Sequence, residues 1–154
     1  MSGTLQALLL FIHLIGVVVW VGGMVFAHFV MRPAAVAQLQ PPARLPLMAA
    51  ALGRFFRIVA VAVVAIVASG LVLMGHVGFA RAPVGWHVML ATGLVMAAVF
   101  AFIYGALYPR LRQAVAQAAW PVAAAALDRI RQLVLLNLWL GVFTVAAAAS
   151  VRAG

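Results

Sequence analysis

Residues 5–31 read LQALLLFIHLIGVVVWVGGMVFAHFVM, an apolar run with two histidines and no arginine, lysine, aspartate or glutamate. It exceeds the ~20 residues needed to cross the hydrocarbon core of a bilayer. Inside lipid, a helix satisfies every backbone N–H and C=O within its own segment, so the run reads as a membrane-spanning helix. It lacks a basic leading region and continues to Met31 without a small-residue cleavage site, so it reads as a retained span rather than a secretory signal.

Three more runs follow, at Ile58–Phe79, Trp86–Tyr108 and Leu133–Val151. Proline continues a helix only at a cost, so Arg32-Pro33 is expected to stop span one and Pro109-Arg110 to stop span three. The turn Arg81-Ala-Pro-Val-Gly85 joins spans two and three. Residues 111–132 are mixed; Trp120-Pro121 breaks them, with Pro121 near the start of a helix that enters span four from outside the lipid. The expected fold is an all-α membrane protein, a single four-helix transmembrane bundle over residues 1–154.

Composition agrees. The chain is 69% hydrophobic, with a mean hydropathy of +1.25, more than a soluble domain of this length can cover. It has no cysteine, which excludes disulfides, thiolate metal sites and thiol catalysis. Asp128 is its one acidic residue, and all 10 basic residues are arginines, for a formal charge of +9. Eight of them flank apolar runs: Arg32, Arg44, Arg54 and Arg57 between spans one and two, and Arg110, Arg112, Arg129 and Arg131 between spans three and four. That pattern fits membrane topology and anionic headgroups rather than nucleic acid. Arg81 and Arg152 alone fall on the other side. The positive-inside rule therefore predicts both termini outside, in the periplasm of a bacterial inner membrane. Trp86 and Trp120 fit interfacial anchors.

Ionisable residues in a span are costly and face a bundle interior or a cofactor. The histidines are His13, His28, His76 and His87. His76 ends span two and His87 begins span three, both near the outer face. His13 lies ~12 Å down span one and ~22 Å from His28, at ~1.5 Å per residue. His13, His76 and His87 thus form the candidate outer site, for a metal ion or as haem ligands, and His28 stands alone near the inner boundary, where an ordinary hydrogen-bonded ring is the simpler reading. His13, Val17, Trp20, Met24 and Met31 share a face of span one to within ~40°. His87 stands above a mostly small face of Ala91, Leu94, Ala98, Ala101 and Gly105, which either packs closely or leaves room for a flat ligand. Asn137, Gly141 and Thr144 share a face of span four suited to interhelical hydrogen bonds.

Met74-Gly-His76 and His87-Val-Met89 mirror each other. Methionine and histidine are copper ligands, and methionine favours Cu(I). Residues two apart on a helix point ~200° from each other, so Met74 and Met89 join histidine ligation only if a helix end unwinds.

His13-x6-Trp20-x2-Gly23, Phe26-Ala-His28 and Arg32-Pro33 resemble the first helix of the copper-resistance D (CopD-like) membrane proteins. Pro41-Pro42-x-Arg44-Leu45, Arg54-Phe-Phe-Arg57, Trp86-His87-Val-Met-Leu90 and Arg129-Ile-Arg131 through Asn137 resemble later parts of short bacterial members. The resemblance implies copper binding, transport or resistance, with a periplasmic copper or electron carrier as partner. The spacing of His13, Trp20 and Gly23 is also similar to HemJ-type protoporphyrinogen oxidases, reported to bind b-type haem. The chain departs from them after the span-three tryptophan, where Met89 and Leu90 replace a basic residue, and before the last span, where Asp128 is the sole carboxylate. Little remains to act as a base, and no catalytic residue is assigned.

Two functional expectations follow, with a purely structural subunit as a third. In one, copper is held by His13, His76 and His87, with Met74, Met89 and His28 as further candidates. In the other, haem b sits in the bundle between His13 and His87 or His76, or at a shallower site between His76 and His87, with Arg81 meeting the propionates and Trp20 a further cofactor-binding candidate.

Overall fold

The computed structural model describes residues 1–150; Val151 and Arg152, used above to place span four and the charge balance, lie outside the described residues. All regular structure among the described residues is helical. Four helical stretches are long and apolar enough to cross a membrane: Gly3–Gln38, Pro41–Val77, Val84–Ala116 and Trp120–Ala149.

α1 (Gly3–Val25) starts at Ser2, whose Oγ accepts from the Leu5 N–H at 3.4 Å. It does not end at Arg32-Pro33. A π turn over Phe26–Met31 leads directly into α2 (Arg32–Gln38). Span three behaves the same way: α4 (Val84–Phe102) passes through a π turn at Ile103–Leu107 into α5 (Tyr108–Ala116), so Pro109-Arg110 is not its end either. Proline clashes with the carbonyl four residues back. Those carbonyls belong to Phe29 and Gly105, and both lie within the π turns, where the wider i→i+5 ladder shifts them. The proline is accommodated and the chain stays helical.

α3 (Pro41–Val77) also begins far earlier than Ile58, with proline in its first turn. It is 37 residues long, ~55 Å at 1.5 Å per residue, against a hydrocarbon core of ~30 Å. The excess carries Arg44, Arg54 and Arg57. Gly78, at φ +87°, closes α3, a left-handed conformation that glycine adopts without steric cost. A short 3-10 turn, Phe79–Arg81, leads to α4. α6 (Trp120–Ser150) carries Pro121 at its second position, as expected.

The chain thus uses one plan twice: an apolar helix, a π turn, a proline and a short helix, then a long helix opened by proline. α1 packs on α3 and α4 packs on α6, and the two hairpins join side by side. At the end opposite the N-terminus the junction is filled. Phe56 is 2% exposed and lies edge-on to Phe100, Tyr104 and Tyr108, at ring separations of 5.5–6.0 Å. Trp20 lies edge-on to Phe100 at 6.2 Å, which closes this packed region from above. The end carrying the N-terminus is hollow instead.

Candidate metal centre

A cavity of about 320 Å³ opens between the four spans at that hollow end. Span one contributes His13, Val17 and Trp20, and span two Gly70 and Met74. Span three contributes Trp86, Met89, Gly93 and Met96, and span four Gly141 and Thr144.

His13 is held in a fixed orientation. Its Nδ1 lies 3.1 Å from the Ile66 carbonyl oxygen and 3.0 Å from Ser69 Oγ. The Ser69 hydroxyl donates to the Ala65 carbonyl at 2.6 Å, so its oxygen is left to accept. A carbonyl only accepts, so Nδ1 carries the hydrogen and Nε2 of the neutral ring keeps its lone pair. This is how protein sites orient a metal-binding imidazole through its other nitrogen. Gly70 makes the position possible: a Cβ there would meet His13 Cε1 at 3.2 Å. Gly16 has a similar role one turn below, where a Cβ would meet Ile66 Cγ1 at 2.6 Å; its absence lets spans one and two approach closely.

Helix geometry separates the two mirrored motifs. Met74 is buried and Met89 partly buried, both lining the cavity, whereas His76 and His87 are exposed. The ~200° between residues two apart on a helix makes these alternatives: methionine inside means histidine outside. His87 Nδ1 lies 3.3 Å from the Pro83 carbonyl, a bond local to its own helix end. The small face beneath it is not internal either. Ala91, Ala98, Ala101 and Gly105 are exposed and do not line the cavity; Leu94, also exposed, is the one residue of this face that reaches it.

The remaining candidates are dispersed. Arg81 is exposed on the 3-10 turn and does not line the cavity. His28 sits in the first π turn, edge-on to Phe29 at 4.7 Å. Trp20 is buried as the cavity's lower wall. Among the described residues, no group of three or more His, Cys, Asp or Glu side chains is close enough to hold a metal ion. The cavity lining includes one imidazole and three thioethers: His13, Met74, Met89 and Met96. Ser69 and Met96 escaped the reading of the sequence. Ser69 is the one hydroxyl in span two, and Met96 follows Met89 by seven residues, two turns along one face.

Compared with known proteins, residues 49–151 match the family model for copper resistance protein D, which is most of the chain. The chain belongs to the copper resistance protein D (CopD) family. No curated protein and no solved structure matches it. As a CopD protein with four membrane-length helices, it is a multi-pass membrane protein in which copper is the family's metal. The span-one residues that first suggested the family lie before the matched region, and spans two to four carry the match.

Proposed function

We propose that this CopD protein binds copper as Cu(I) in the cavity, through His13 Nε2 and the thioethers of Met74, Met89 and Met96. Family membership supplies the metal. The observation that carries the reading is that these four side chains line one cavity. Thioether and imidazole donors without a carboxylate favour Cu(I) over harder cations. The arginine distribution supports a bacterial inner-membrane location with the cavity facing the periplasm.

Exposed His76 and His87 flank the turn above the cavity and serve as first contacts for copper delivered by a periplasmic carrier. The ion then passes from borderline imidazoles to softer thioethers. Below, Trp20, Phe56 and Phe100 fill the bundle, so this conformation holds and returns copper at one face rather than conducting it across. Bis-histidine haem does not fit the same residues: it needs a second imidazole, and His13 is the one histidine among the described residues that line the cavity.

Copper binding is tested by competing the detergent-purified protein against a chromogenic Cu(I) chelator. Stoichiometric binding is expected, lost in His13→Ala and weakened in Met74→Leu/Met89→Leu. A Soret band lost in His13→Ala, with no Cu(I) affinity, would overturn the reading in favour of haem.

A further inference from the structure

A second cavity, of about 260 Å³, lies at the opposite end of the bundle. Arg32 and Val36 of α2, Arg44, Leu45 and Met48 of α3, and Ala124, Leu127 and Asp128 of α6 line it. Both arginines are partly buried. Their one possible counter-ion in the whole chain is Asp128. That carboxylate is already held: Arg131 pairs with its Oδ1 at 2.7 Å, and Gln132 Nε2 donates to its Oδ2 at 3.0 Å. Two guanidinium groups, from α2 and α3, therefore line a partly buried space with too little negative charge beside them. Such an arrangement is stabilised by an anion.

The rest of the lining is apolar: Val36, Leu45, Met48 and Leu127. A free inorganic anion gains nothing from these side chains. A molecule with a phosphate beside hydrocarbon uses both parts of the lining, and guanidinium groups match phosphate oxygens with paired donors. Basic pockets between transmembrane helices near the headgroup level are recognised sites for anionic lipid headgroups. We infer that this cavity binds the headgroup phosphate of an anionic phospholipid, held by Arg32 and Arg44 and wedged between the two hairpins. The lipid would act as a cofactor of the fold, joining α2 and α3 to α6. The inference is independent of the copper reading, since the two cavities share no residue.

The test is native mass spectrometry of the full chain in neutral detergent, with phosphatidylglycerol, phosphatidylcholine or inorganic phosphate added separately. Phosphatidylglycerol is expected to bind in preference to the other two. Arg32→Gln and Arg44→Gln should each weaken it about fivefold, the factor for one basic residue at a membrane surface. Arg110→Gln, exposed and outside the cavity, should not weaken it. Equal binding of phosphatidylcholine, or full phosphatidylglycerol binding by the Arg32→Gln/Arg44→Gln pair, would overturn the site. Inorganic phosphate binding as tightly as phosphatidylglycerol would overturn the lipid assignment. If the double variant does not fold, Asp128→Asn gives the reverse test. Removing the competing carboxylate should tighten phosphatidylglycerol binding, and unchanged or weaker binding would contradict the inference.

Discussion

His13 is oriented by its neighbours in a way that suits the proposed copper site. Two acceptors on span two engage Nδ1, and Gly70 leaves space for the ring edge. Ser69→Ala removes one acceptor and leaves the Ile66 carbonyl, so Cu(I) affinity should fall about tenfold, the lower end of the effect of losing a metal ligand's supporting partner. Gly70→Ala places a methyl against Cε1 and should cost at least as much, with the helix content unchanged. A chelator competition checks both, and unchanged affinity in either would show that the ring is not the ligand. His76→Ala and His87→Ala, outside the cavity, should slow copper loading in stopped-flow mixing without changing the final affinity. Counting residues along a helix orders the histidines along their spans in the sequence. It did not reveal which way His76 and His87 face. Rotation about the helix axis is set by packing, and in both mirrored motifs packing selects the methionine.

At the level of elements, the apolar runs and the start of α6 were legible, while the ends of spans one and three were not. The rule that proline stops a helix assumes a regular ladder before it. The π turns at Phe26–Met31 and Ile103–Leu107 remove that assumption, and apolar composition gives no sign of them. The inward face of span four was readable from Asn137, Gly141 and Thr144. Asn137 Nδ2 donates to the Met96 carbonyl at 3.0 Å, and Thr144 Oγ1 donates to Thr92 Oγ1 at 2.7 Å. Asn137 Oδ1 is buried with no partner among the described residues. Asn137→Leu loses one interhelical hydrogen bond, which is worth ~0.6 kcal/mol on average in a membrane protein, and also removes that unpaired oxygen. The net change in unfolding free energy, measured in mixed micelles, should stay within about 1 kcal/mol. Ala118 joins α5 to α6 at φ +52°, where a Cβ is sterically unfavourable. Ala118→Gly should raise the same unfolding free energy by roughly 0.5–1 kcal/mol, and a loss of stability would show that the turn is not strained.

For the whole molecule, the repeated plan places an aromatic cluster and a basic cavity toward one end and the apolar cavity at the other. Length and hydropathy sufficed to identify a four-helix membrane bundle. The hollow is lined from all four spans, which no single segment discloses. Orientation rests on the arginines and can be tested directly, because the chain has no cysteine to interfere. In intact cells, an impermeant maleimide should label Val84→Cys, and Gln117→Cys should react only after permeabilisation. The reverse pattern would turn the cavity toward the cytoplasm. The central claim, that His13 and the methionines form the copper site, is tested most directly by X-ray absorption at the copper edge of the Cu(I)-loaded protein. The account predicts a thioether sulfur shell with a single imidazole, the sulfur diminished in Met74→Leu/Met89→Leu and the imidazole lost in His13→Ala. A shell of nitrogen and oxygen alone, unchanged in these variants, would contradict it.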